Sequence, residues 1–207
     1  MVAPKMGRGF FIVLEGIDGT GKTTQAGLLA EALRTRGHQV VLTREPSDGP
    51  AGEKIRNYLK GPIRYLTADQ ELALFMADRR EHVDAVIRPA LEQGRVVISD
   101  RYYFSSAAYQ GALGLDPQWI MAEHEKFKAP RPDLVFFFSL PPTMALARQG
   151  NKARQVSESP AYLEKVAAIY RTFQAPHMHH LDAAEAPREI HDKILTITLK
   201  ALQESGN

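Results

Sequence analysis

Apolar residues in this chain gather into short, nearly unbroken runs: FFIVL (10–14), QVVLT (39–43), RVVIS (95–99) and DLVFFFSL (133–140), with a weaker HMHHLD at 177–182. Between them, over 22–36, 51–60, 68–93, 103–111, 117–128, 158–174 and 186–204, the pattern is helical. There apolar positions recur every three or four residues. A strand covered on both faces shows no polar alternation, and helices supply the covers. The alternation therefore predicts an α/β fold, a parallel five-stranded sheet flanked by helices on both faces. Gly37, Gly94 and Gly111 stand where helices are expected to stop. No repeat or long linker interrupts the pattern, so residues 1–207 read as a single domain, with residues 1–8 as a loose leader.

One stretch breaks the pattern. Residues 147–159, ARQGNKARQVSES, are almost without apolar side chains and carry three cations, Arg148, Lys152 and Arg154. Ser159 followed by Pro160 then reads as the cap and first residue of another helix. A solvated loop is the plain reading. In an enzyme that handles phosphate, the same composition suits a short lid that closes over charge.

Composition narrows the classes. Hydrophobic content of 44% and charged content of 24% are ordinary for a globular protein. A net charge of only +2 argues against nucleic acid as the main partner. FFIVL is too short to cross a membrane. The absence of cysteine removes disulfides and thiolate metal sites and suits a reducing cytoplasm.

Chemistry enters where the first apolar run ends. Gly16-x4-Gly21-Lys22-Thr23 fits the P-loop pattern, in which backbone N–H groups curl round a phosphate chain and a helix N-terminus faces it. The expected nucleotide-binding residues are Gly16, Ile17, Asp18, Gly19, Thr20, Gly21, Lys22, Thr23 and Thr24. Lys22 reaches the outer phosphates, and the Thr23 hydroxyl suits Mg2+. No guanine-reading N-K-x-D segment is present, which leaves a small kinase as the favoured class.

The acceptor is read from the other strand ends. Asp100 and Arg101 emerge from the third run, at the edge where open α/β sheets place ligands. Asp100 suits a metal held through its waters. Arg44 emerges from the second run at the same edge. Two arginines opposite a P-loop suggest an acceptor that is itself a phosphate, which is already anionic at neutral pH and needs no general base. On the helix over 68–93, Phe75, Arg79 and His82 share a face.

EGIDGTGKTT (15–24), TREPSDGPAGEKIR (43–56), LFMADRREHV (74–83), ISDRYYFSSAAYQG (98–111) and PDLVFFFSL (132–140) together resemble thymidylate kinase, in that family's order and spacing. The resemblance implies a P-loop NTPase-type fold, transfer of a phosphoryl group from ATP to dTMP with Mg2+, and a homodimer. It implies that Asp18 meets the deoxyribose 3′-OH, Phe75 stacks on thymine and Arg79 reads the base edge. Arg44 and Arg101 would grip the acceptor phosphate. Ser105, Ser106, Tyr109 and Gln110 would line the nucleoside pocket, with Tyr109 against a ribose 2′-OH. Lys22, Arg101, Arg154 and Asp100 would serve catalysis. Ser139 stands where the family often has Asp, and the lid reads Ala153-Arg154-Gln155-Val156 in place of Asp-Arg-x-Glu. Two alternatives stay open, a deoxynucleoside kinase and a nucleotide-binding homologue with weak turnover.

Overall fold

The computed structural model describes residues 8–61, 64–149 and 159–206. Five parallel strands form one sheet in the order β2-β3-β1-β4-β5: β1 (Phe10–Gly16), β2 (Val40–Arg44), β3 (Val96–Asp100), β4 (Leu134–Ser139) and β5 (Met178–Asp182). Every residue of β1 and β3 is buried, so both faces of the sheet are covered, as unbroken apolar runs require. The edge strands β2 and β5 are half-exposed, which accounts for their weaker apolar signal.

The helices are α1 (Lys22–Thr35), α2 (Pro50–Lys60), α3 (Ala68–His82), α4 (Arg88–Glu92), α5 (Tyr103–Gly111), α6 (Pro117–Lys126), α7 (Pro142–Gln149), α8 (Pro160–Thr172) and α9 (Pro187–Ser205). α1 packs on α9, while α5 packs on α3, α6 and α8. The core is aromatic where these layers meet β4: Phe104 stands edge-on to Phe137, which stacks on Phe173. Strand register sets Arg44, Asp100 and Leu14 side by side, with Gly16 two residues further along β1. The carboxyl ends of β1, β2 and β3 thus meet along one rim.

Local chemistry sets the helix ends. Thr67 caps α3 reciprocally with Gln70, and Ser159 Oγ accepts from Tyr162 N at the start of α8 as the Ser-Pro pair predicts. Two expectations are corrected. The helix expected over 68–93 is α3, a π-helical turn (Val83–Ile87) and α4. Pro89 has no N–H and its ring would crowd the carbonyl four residues back, which an ordinary α-helix does not accommodate. The helix expected to stop at Gly111 does stop there, Gly111 being the last residue of α5; it has no positive φ, and a Cβ there would lie 3.0 Å from Ile169 and from Pro117, so this glycine also serves close packing, while Gly114 takes the left-handed turn (φ 108°). Residues 147–149 belong to α7, so the expected lid begins within a helix; its remainder, 150–158 with Lys152 and Arg154, lies outside the described residues.

Candidate active site

The strand ends enclose a cavity of about 270 Å³. One end is the loop between β1 and α1. Gly16 has φ 144°, and a Cβ there would lie 2.6 Å from the carbonyl oxygen of Phe138 on β4. Gly19 has φ 84°, and its Cβ would lie 2.3 Å from the Ala145 carbonyl oxygen of α7. Only glycine fits either place. The loop's own bonds hold its shape: Thr20 Oγ1 and Lys22 Nζ both donate to the Ile17 carbonyl at 2.8 Å.

Lys22 is buried and lies 3.9 Å from Asp18 Oδ1. Burial and the nearby Arg101 push its pKa down to about 8, against the pull of Asp18 and Asp100. Asp18 pairs closely with Arg101, which holds its carboxyl at about 2. Thr23 Oγ1 donates to Asp100 Oδ2, whereas Asp100 Oδ1 is buried with no partner among the described residues. An unmatched carboxylate oxygen beside a threonine hydroxyl fits a hydrated Mg2+ whose other ligands are waters and phosphates. Consistently, no group of three or more His, Asp or Glu among the described residues forms a metal cage. Thr24 lies exposed on the first turn of α1.

Arg101 follows β3 in a left-handed conformation, φ 77°, which strains a residue with a side chain by about 1–3 kcal/mol. Its N–H donates to Leu14 O at 2.9 Å, and its carbonyl accepts from Ser99 Oγ at 2.7 Å. These bonds from β1 and β3 hold the turn and aim the guanidinium into the cavity, where Nη1 donates to Ser105 Oγ at 3.0 Å and Cζ lies 5.2 Å from the Tyr109 ring centre. Arg44 also lines the cavity and is half-solvated, with Nη2 donating to Asp48 at 3.0 Å. The two arginines expected from the sequence therefore share one space with Lys22.

Phe75, Ser106, Tyr109 and Gln110 also line the cavity. Gln110 Nε2 donates to Glu71 Oε2 at 3.1 Å, and Gln110 Oε1 is buried without a partner among the described residues. Arg79 is placed differently from its expected role. It is 1% exposed and does not line the cavity. Nε and Nη2 donate to Glu45 Oε2 at 2.9 and 2.6 Å, Nη2 also to Tyr102 O, and Nη1 to Ser106 Oγ and to His124 Nε2. All five N–H groups of the guanidinium are engaged with these partners. Arg79 reaches the cavity through Ser106 instead.

Several residues of the site were not singled out from the sequence. Glu15 is fully buried; Oε1 accepts from the backbone N–H groups of Tyr102 and Ser105, and Oε2 from the hydroxyls of Ser105 and Tyr170. It caps α5, whose own N-cap residue supplies no side-chain bond. Burial pushes the Glu15 pKa up, against the attraction of Arg101. Glu45 is also buried, but Arg79 and His82 outweigh that burial and hold its carboxyl down. Arg64 and Tyr162 line the cavity as well. Glu15 and Glu45, as acids beside a glycine loop and an arginine, offered a local clue; Arg64 offered none.

The model of the family described as "Thymidylate kinase" matches residues 14–194. The thymidylate kinase of Brachyspira hyodysenteriae is 42% identical over 190 residues, 91% of this chain and 92% of that protein. A probable thymidylate kinase of Thermococcus kodakarensis is 42% identical over 210 residues, 94% of this chain and 99% of that protein. The thymidylate kinase of Desulfotalea psychrophila is 41% identical over 182 residues, covering 86% and 88%.

Proposed function

Because the chain belongs to the thymidylate kinase family, we infer that it is an enzyme that phosphorylates dTMP to dTDP. The deoxynucleoside kinase alternative is not favoured by these relatives. One observation carries the reading: a single cavity joins Lys22 to Arg44 and Arg101, and these to a base end where Gln110 offers a buried acceptor. A thymine ring carries an N–H between two carbonyls and supplies the donor that Gln110 Oε1 lacks. Cytosine presents an acceptor at the same ring atom. Leaving a buried acceptor unmatched is heavily disfavoured, so the site selects for an imide base.

We assign roles from this geometry and the family resemblance together. ATP is the donor, its phosphates held by the loop from Gly16 to Thr24, with Lys22 neutralising charge on the transferred group. Thr23 and Asp100 would hold Mg2+, which supplies charge neutralisation at the phosphates. Arg44 and Arg101 hold the acceptor phosphate, Phe75 stacks on the base, and Asp18 and Tyr109 meet the sugar. Ser105 fixes Arg101 and Ser106 fixes Arg79, both serines lining the nucleoside pocket. The nucleophile is a phosphate oxygen, anionic without a general base, so the protein's task is alignment and charge. Arg154 is assigned to the lid as the cation that meets charge between donor and acceptor.

A homodimer in the cytoplasm is the setting this reading favours. Apolar Leu113, just after α5, and Trp119, on α6, are exposed, which suits an assembly. No helix among the described residues is long and apolar enough to cross a membrane. The function is tested by ADP release with ATP, Mg2+ and a panel of acceptors. dTMP is expected to lead, dUMP to follow, and dCMP, dGMP, thymidine and the ribose counterpart to be poor. Equal turnover of dCMP and dTMP would refute the assignment of the base end.

A further inference from the structure

Glu71 has no exposed surface, yet four donors converge on its carboxylate. Oε1 accepts from the Tyr58 hydroxyl at 2.6 Å and from Arg64 Nε; Oε2 accepts from Arg64 Nη2 and from Gln110 Nε2 at 3.1 Å. Arg64 forks over both oxygens, the geometry that best compensates a buried carboxylate. Its Cζ also lies 5.4 Å from the ring centre of Tyr162, in the first turn of α8. The segment before α3 and the start of α8 therefore meet on one guanidinium at the cavity wall.

The bond to Gln110 has a chemical consequence. An amide side chain has one donor end and one acceptor end, and turning it over exchanges them. With Glu71 ionised and held by Arg64, a reversed amide would set Gln110 Oε1 against a carboxylate oxygen with no proton between them. Only one orientation is compatible with the pair. It leaves Oε1 as the acceptor at the base end.

We propose that Glu71 and Arg64 are positioning residues that fix the amide of Gln110, and thereby set the preference for an imide base over a base whose ring nitrogen is an acceptor. The proposal rests on the thymidylate reading of the cavity. Without the Glu71 charge, Gln110 would take both orientations, and the reversed one would offer N–H groups to cytosine. Neither Glu71 nor Arg64 touches the reacting phosphates, so the effect falls on acceptor choice and not on ATP.

The test is Glu71→Gln, read by kcat and KM for dTMP and for dCMP, KM for ATP, and thermal melting. Losing a charge-assisted bond of this kind should cut the dTMP/dCMP ratio of kcat/KM by about 10-fold or more. The change should come mainly through KM for dTMP, with KM for ATP unchanged. Glu71→Asp keeps the charge but draws it back by one methylene, and it serves if Glu71→Gln does not fold; the same ratio should fall by less. A role confined to packing would lower the melting temperature and leave the ratio alone. A folded variant that retains the wild-type ratio overturns the positioning role while the thymidylate reading stands. A wild type that does not distinguish dTMP from dCMP overturns both.

Discussion

Lys22→Met should abolish turnover and yet raise the stability of the free protein. The buried ammonium has its pKa drawn down from 10.5 to about 8, burial being the first cause and Arg101 the second. At about 1.4 kcal/mol for each tenfold change in proton affinity, that gap corresponds to roughly 3 kcal/mol of strain at neutral pH. Part of it is offset by the bond to Ile17 O, which the substitution removes. That carbonyl still accepts from Thr20 Oγ1, so it is not orphaned. A methionine of similar length should therefore stabilise by about 1–3 kcal/mol, or roughly 2–10 °C in a domain of this size. The sign of the pH dependence follows. Below pH 8 Lys22 is charged in both states and the penalty is complete. Between pH 8 and 10.5 the folded protein gives up the proton while the unfolded chain keeps it, so wild type gains stability relative to Lys22→Met as pH rises. Calorimetry of both proteins at pH 7 and at pH 10, with ADP release measured alongside, provides the assay. Turnover should fall by about 10²-fold or more. A melting temperature below wild type at pH 7 would refute the electrostatic reasoning, and near-normal turnover would refute the role of the loop.

Three other substitutions probe the arginines. Glu15→Gln turns two bonds from hydroxyls to a carboxylate into weaker neutral ones, and should lower stability by about 1–3 kcal/mol while raising KM for dTMP more than KM for ATP, because Ser105 and Arg101 lose their anchor. Unchanged melting and unchanged KM would remove Glu15 from the account. Arg154→Ala should lower kcat and kcat/KM together by at least about 10-fold. Arg148, whose Nη1 donates to Ala183 O at 2.8 Å, should affect melting more than rate when replaced by Ala; the reverse pattern would show that the lid register is wrong.

Much of the fold was legible because two-sided burial leaves an unmistakable trace. The five apolar runs became β1 to β5 nearly residue for residue, and the glycine loop fell between β1 and α1 as its motif requires. What escaped was whatever depends on partners far away in the chain. α7 escaped because its 8 residues give periodicity too little room. Gly111 does end α5, but nothing local announces that Ile169 and Pro117 press on it. Arg79 shared a helix face with Phe75, but its acceptors come from β2, α5 and α6 and draw it behind the wall. The carboxylates of Glu15, Glu45 and Glu71 gain meaning only through donors that folding brings to them.

The pairing of Asp18 with Arg101 makes the site carry its own counter-ion. An arginine awaiting a phosphate in open water would gather anions from bulk solvent, and binding would release them, so affinity would fall steeply with salt. Here the guanidinium is already neutralised by a carboxylate of the same chain, and the Asp18 side chain is itself half-solvated. On the proposed reading, an arriving phosphate would exchange with an internal anion, and the freed Asp18 carboxylate would turn to the sugar hydroxyl. Ligand entry would then be an ion exchange conducted within the protein, coupling release of Asp18 to the arrival of the group whose place it holds on Arg101.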